Sequence, residues 1–252
     1  MKRSILTTLA LFTLGAAASA EVKVNVGQIT DTRTTGDFFK GLELTLNLSG
    51  PELAEAKGMK IVISEAKDDA GTDISKIVKF GFDSGGFEPL EKGFGFSGDK
   101  KPGEFEHKLK LPNPARAAKT AKVIGSLQLL VPSKDPASVI TVDLAKSVGK
   151  PLEHPVLKSD GATLTFDAPK GDDASYKIQD PKGVVAAVEF CAADGKALET
   201  GGKSSSSFGG GPKSVSISVR PKAPDGMIAK VYLVTAKSVV NVPLKLEAIP
   251  LP

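Results

Sequence analysis

The stretch Leu233 to Leu244, Leu-Val-Thr-Ala-Lys-Ser-Val-Val-Asn-Val-Pro-Leu, has a close copy earlier in the chain. That copy, Leu130 to Leu144, reads Leu-Val-Pro-Ser-Lys-Asp-Pro-Ala-Ser-Val-Ile-Thr-Val-Asp-Leu. Leu130, Val131, Lys134, Ser138, Val139, Val142 and Leu144 pair with Leu233, Val234, Lys237, Ser238, Val239, Val242 and Leu244 across one insertion, Asp135 to Ala137. Three upstream blocks follow in the same order. Ile61 to Gly71 matches Ala187 to Gly195, Phe96 to Glu104 matches Phe208 to Lys213, and Leu111 to Pro114 matches Arg220 to Pro224. Several matching blocks in one order point to a single module used twice, which restricts the fold to two copies of one architecture.

Within the copies the apolar residues alternate at period two. Leu42, Leu44, Leu46 and Leu48 share one face with Glu43, Thr45 and Asn47 on the other, and Val215, Ile217 and Val219 alternate with serines. Half-buried strands carry this pattern. Turn residues punctuate them at Ser49-Gly50-Pro51, Asp69-Ala70-Gly71, Pro102-Gly103, Asp160-Gly161, Asp194-Gly195 and Asp225-Gly226, where glycine accepts positive φ and aspartate bonds its own backbone. Helical signal is confined to single turns at 52–57 and 115–122. The expected fold is all-β, with two tandem sandwiches that resemble immunoglobulin-like or fibronectin-like modules at the level of pattern only. Module one is expected over 21–152 and module two over 156–252. Glu153-His154-Pro155 reads as a short, stiff linker between them.

The chain opens with Lys2 and Arg3, an apolar run from Ile5 to Ala17, and Ala18-Ser19-Ala20. This is the pattern of a cleaved secretory signal peptide, so residues 1–20 are expected to be removed and the protein exported to the periplasm or cell exterior. The run is too short for a membrane span. Of 33 lysines and arginines, Lys2 and Arg3 leave with the signal, so 31 stand against 29 acids and the formal mature charge is +2. Scattered lysines of this kind form no basic stripe interleaved with aromatics, which argues against a nucleic-acid partner. Cys191, the one cysteine, permits no intrachain disulfide and lies in the strand-like run Val188-Glu189-Phe190-Cys191, where a buried thiol behaves as a small hydrophobe.

Catalytic chemistry is not marked. His107 and His154 are the two histidines, too few for an imidazole zinc cluster, and no Gly-x-Ser-x-Gly elbow is present. No catalytic residue is therefore assigned. Asp68, Asp69 and Asp73 cluster at a turn whose oxygens would suit calcium, although their spacing misses the acidic loop pattern. No other cofactor is expected. The competing enzyme class is an exported hydrolase that uses such turn carboxylates with a metal. With no tryptophan and with Tyr176 and Tyr232 as the two tyrosines, flat stacking platforms for sugars are scarce, which disfavours carbohydrate.

Function is therefore sought where the copies differ. Module one carries an insertion over 74–95, and Phe80, Phe82, Phe87 and Phe94, with Phe96 beyond it, offer either an apolar recognition surface or a cover for the sandwich edge. Module two carries the loop Gly201 to Gly211, in which Ser205, Phe208 and Gly210 are candidate binding positions. The expected function is a non-catalytic binding or structural module of the bacterial envelope or exterior, with a protein or other envelope component as partner.

Overall fold

The computed structural model describes residues 22–34, 40–78, 86–90, 103–207, 211–220, 222 and 224–252. The signal-like segment, Phe80, Phe82, Phe94, Phe96, Phe208 and Gly210 lie outside them. Among the described residues the fold is all-β, with antiparallel pairing in four sheets. Its strands are β1 (Lys23–Thr32), β2 (Gly41–Ser49), β3 (Gly58–Asp68), β4 (Glu88–Pro89), β5 (Glu104–Leu111), β6 (Thr120–Leu130), β7 (Val139–Asp143), β8 (Thr163–Phe166), β9 (Asp173–Gln179), β10 (Val185–Cys191), β11 (Glu199–Ser206), β12 (Lys213–Arg220), β13 (Ile228–Leu233) and β14 (Val239–Pro250). Helices are short: α1 (Pro51–Glu55), α2 (Leu144–Ser147) and α3 (Pro155–Asp160).

Two cores divide these sheets into sandwich-like units. In unit one, β1-β2-β5 faces β14-β6-β3-β4 across Leu42, Leu44, Leu46, Leu109, Leu111, Val123, Leu127 and Leu129. The leucines that alternate along β2 are all buried there. In unit two, β11-β12-β9-β8 faces β10-β13-β7 across Leu164, Phe166, Tyr176, Phe190, Val215, Ile217 and Val231. Three of those aromatic rings, Phe166, Tyr176 and Phe190, meet with centroids 6.2 to 6.4 Å apart in tilted and edge-on arrangements, the preferred geometry for aromatic pairs.

The strand order of the two units corresponds as the repeat implies. In one pair of sheets β3, β6 and β14 stand where β10, β13 and β7 stand in the other. The pairing does not divide the chain at 153–155, however. β7 leaves β6 and pairs with β13, Tyr232 opposite Val139, and so it joins unit two. β14 leaves β13 and pairs with β6 from Val239 opposite Leu130 to Pro250 opposite Thr120, and so it completes unit one. Unit two is thus inserted between β6 and the final strand of unit one. The joint is a pair of crossings, 131–138 and 234–238. Residues 153–155 lie inside unit two, where Pro155 takes the first position of α3 and the His154 ring accepts from the Val156 amide. A proline there reads as a linker from sequence but is equally suited to a helix start, which has no use for that amide hydrogen.

The crossings touch. Val131 donates its amide to the Ser238 carbonyl at 2.7 Å, and the Thr235 hydroxyl donates to Asp135 Oδ2 at 2.6 Å. Ser138 and Ser238, equivalent in the repeat, are both fully buried. Ser138 Oγ donates to the Asp135 carbonyl, while Ser238 Oγ accepts from the Thr235 amide. These local bonds satisfy buried hydroxyls that would otherwise be costly.

The described parts of the 74–95 insertion are structural. Ile74 is fully buried in the unit-one core, the Val78 amide donates to the Lys110 carbonyl of β5, and β4 pairs with Gly58 and Met59 of β3. These described parts bond β5, the edge strand of one sheet, at Lys110 and β3 of the other at Gly58 and Met59, which fits the edge-covering role that the sequence allowed. On the opposite edge, β14 is blunted by Pro243 and by a bulge at Leu246 to Ile249 that contains Ala248 at φ 51°, devices that keep an edge from pairing further.

A second bulge, between Ile63 and Glu65 of β3, brings the Val62 carbonyl against Gly125 of β6. A Cβ at Gly125 would lie 2.1 Å from that oxygen, and a backbone atom there cannot swing aside. Gly125→Ala is expected to lower stability by about 2 kcal/mol or more, the upper range of overpacking costs. Gly202→Ala, where a Cβ meets nothing within 4 Å, is expected to stay within about 0.5 kcal/mol of the parent. Denaturant unfolding of the two variants checks this contrast.

Candidate functional site

Titratable groups converge at the joint. Glu189 on β10 receives Lys57 Nζ at 2.8 Å on one carboxylate oxygen and the Tyr232 hydroxyl at 2.6 Å on the other. Lys57 also sits 5.3 Å from the centre of the Tyr232 ring, within range of a cation–π attraction. Lys57 belongs to unit one, Glu189 and Tyr232 to unit two. Beneath them Leu130, Ala186 and Tyr232 pack with Phe87, Val139, Ala187 and Val234. Phe87, a candidate for recognition, is therefore a half-buried part of the joint.

The electrostatics of this cluster are those of a clasp. Burial raises the Tyr232 pKa and the Glu189 carboxylate raises it further, so the phenol remains a donor. Burial would also raise the Glu189 pKa, yet the bonds from Lys57 and Tyr232 hold it below its ordinary value. Cys191, fully buried, has its thiol pushed up by burial and by Glu189, the opposite of what a reactive thiolate needs.

The three turn aspartates are each engaged by backbone amides. Asp68, 6% exposed, accepts from Thr72 and Ala115, both at 2.7 Å. Burial raises its pKa, but those amides outweigh the effect and hold the carboxyl below its ordinary value. Asp69 accepts from Lys119, and Asp73 from Ser75. Among the described residues no group of three or more His, Cys, Asp or Glu side chains is placed to hold a metal ion. The clustered carboxylates thus build the turn and brace it: Asp68 and Asp73 bond amides of their own loop, while Asp68 and Asp69 also accept from Ala115 and Lys119 of the loop before β6. His107 faces the core side of β5 at 18% side-chain exposure. Burial holds its imidazole below the ordinary value against the opposing pull of Glu88 at 3.8 Å.

The arrangement that remains lies on the outer face of the four-stranded sheet of unit two. Val215, Ile217 and Val219 of β12 point into the core, so Ser214, Ser216 and Ser218 point outward. Register continues the pattern onto both neighbours. Ser216 stands between Ser204 of β11 and Ser175 of β9, and Ser214 between Ser206 and Lys177; Thr165 of β8 follows Lys177. The hydroxyls form ranks spaced about 4.8 Å across strands and roughly 7 Å along them. Ser218 donates to Asp173 at 2.8 Å and Ser175 to Asp167 at 3.1 Å. Among the described residues, the side-chain hydroxyls of Ser204, Ser206, Ser214 and Ser216 have no hydrogen-bond partner.

Residues 201–206, expected as part of a flexible loop, are instead most of strand β11. Its other face carries Thr200, Lys203 and Ser205, opposite Val219, Ile217 and Val215, and all three are exposed. Ser205, a candidate binding position, thus lies on the reverse of the hydroxyl face. The serines alternating along β12 were visible in the sequence; their continuation onto β9 and β11 depends on register. A separate cleft of about 220 Å³ on unit one is lined by Asp31, Arg33, Pro114, Arg116 and Leu251. Its Arg33 is already committed to Asp31 and the Pro114 carbonyl. Comparison with protein-family models, with curated proteins and with solved structures found no match.

The clasp gives a signed pH dependence. Because Glu189 titrates below its ordinary value of 4.5 in the folded chain, its contribution is full above that value and is lost as pH falls through the lowered one. The thermal midpoint of the parent should exceed that of Glu189→Gln at neutral pH, with the gap closing in that acid window. Tyr232→Phe is expected to cost about 1–2 kcal/mol at neutral pH and much less in the Glu189→Gln background. A double-mutant cycle by denaturant unfolding measures the coupling.

Proposed function

We propose that the chain is an exported, non-catalytic binding module of the bacterial cell envelope or exterior, and that its contact surface is the serine and threonine face of unit two. The register of that face carries the reading. Unengaged hydroxyls in ranks on a rigid sheet offer donors and acceptors at fixed spacing, which suits an uncharged, hydrogen-bonding partner surface such as a protein or another envelope component. The amino-terminal pattern of charge, apolar run and small residues supports export. The matching strand order of the two units supports a duplicated module of immunoglobulin-like or fibronectin-like kind. The alternative of a metal-dependent hydrolase, and a calcium site with it, draws no support from Asp68, Asp69 and Asp73, whose oxygens are engaged by loop amides.

Ser214→Arg with Ser216→Arg places two long cations on the face while leaving Val215 and Ile217 in the core. Cosedimentation of the mature protein with its own envelope fraction is expected to fall about tenfold, equivalent to 1.4 kcal/mol. Val62→Arg, on the 39% exposed Val62 of unit one, is expected to leave it unchanged. Full retention by the double variant would overturn the assignment of the face.

A further inference from the structure

The double crossing points to a partner for unit one: a second copy of this chain. β14 is bonded to unit one on one side only, through β6, yet it supplies Val242, Leu244, Leu246 and Ile249 to the unit-one core. The core is therefore open until a strand of this sequence is seated on β6. The strand arrives over a single crossing, 234–238, and is received by β6, by β1 of the facing sheet and by the unit-one core. Any copy of β14 satisfies these contacts equally well. The repeat supplies the internal comparison. Its equivalent crossing, 131–138, carries β7 between units with the additional residues Asp135, Pro136 and Ala137, and the carboxylate of Asp135 secures the shorter crossing through Thr235. Exchange of an identical terminal element across a short connection between two units is a low-cost route to a dimer.

We propose that the chain forms a reciprocal dimer in which β14 of each copy completes unit one of the other, with residues 234–238 as the hinge. The strand pairs of the monomer are preserved and only the hinge changes course, so the exchange costs little enthalpy and its extent is set by concentration at the moment of folding. Ser238 and Thr235 hold the hinge in its closed form, and the tie to Asp135 must break for the hinge to open.

Gln128 and Asn241 are direct cross-strand partners on β6 and β14, and their side chains are 3.2 Å apart. Directly opposed Cα atoms lie within disulfide reach. The full-length protein carrying Gln128→Cys and Asn241→Cys in a Cys191→Ala background is refolded from denaturant at low and at high concentration, oxidised, and run on a non-reducing gel. A bond within one copy gives a covalent monomer and a bond between copies a covalent dimer. The dimer fraction is expected to rise with refolding concentration. Inserting Asp-Pro-Ala between Lys237 and Ser238, to match the longer crossing, is expected to lower it about tenfold. Light scattering on the parent chain, refolded in parallel, reads the same equilibrium without any substitution. Monomer alone at every concentration in both assays, or a dimer fraction indifferent to the insertion, would overturn the proposal.

Discussion

The pairing of β14 with β6 is the interaction on which the rest of the structure depends. It runs from Val239 opposite Leu130 to Pro250 opposite Thr120 and brings the last strand of the chain back to the unit that β1 begins. Without it Leu127 and Leu129 of β6 would face the unit-one core beside an open flank, and the side chains of Val242, Leu244 and Leu246 would lose their burial. Each of those aliphatic groups contributes on the order of 1.5–3 kcal/mol when removed from water. Together they are comparable to the whole net stability of an ordinary domain. The same pairing encloses unit two between two crossings. One flexible tether allows a domain to swing, whereas two adjacent crossings bonded to one another fix an axis. The clasp of Lys57, Glu189 and Tyr232 and the apolar cluster of Leu130, Ala186 and Tyr232 then fix the rotation about it.

The buried serines of the joint follow from the same requirement. At a crossing the backbone leaves one sheet before it enters the next, so its amides and carbonyls lose ladder partners while remaining inside the protein. A side chain that is small enough to bury and able both to donate and to accept resolves that conflict, and serine is such a residue. Ser138 and Ser238 are therefore repeated for the same reason as the leucines around them. They belong to the scaffold, and the identity between the two stretches carries no recognition chemistry.

Period two in β2 and β12 named the buried side chains correctly, and the repeat named the order of the strands. What alternation does not encode is which core a strand enters. β7 with the residue after it and β14 present the equivalent pairs Val142 and Leu144, and Val242 and Leu244, so alternation alone does not assign either strand to a core. The crossings decide between them, and their geometry rests on hydrogen bonds between residues far apart in sequence, such as Thr235 with Asp135. Composition misled in two places. Pro155 has the form of a linker residue but opens α3, and glycine and serine over 201–206 suggest a loop because both are poor strand formers. In β11 the ladder with β12 overrides that preference, as tertiary pairing commonly does for strands.

β11 also bears on why the hydroxyl face has its extent. Its inward-facing residues, Thr200, Lys203 and Ser205, lie beyond the apolar core and remain exposed, so the strand adds almost nothing to burial. A lysine on that inner face and a bulge between Thr200 and Gly202 discourage pairing of its open edge with a further strand. What β11 does add is width on the other side, where Ser204 and Ser206 extend the ranks begun by Ser216 and Ser214. Among the described residues, the β1-β2-β5 sheet of unit one has no such strand. The strand has little core to bury and a blunted edge, and its effect is to widen a surface that carries the hydroxyls of Ser204, Ser206, Ser214 and Ser216. Lys57 and Glu189 hold this unit by its opposite sheet, through β10, so the clasp orients the face without occupying it.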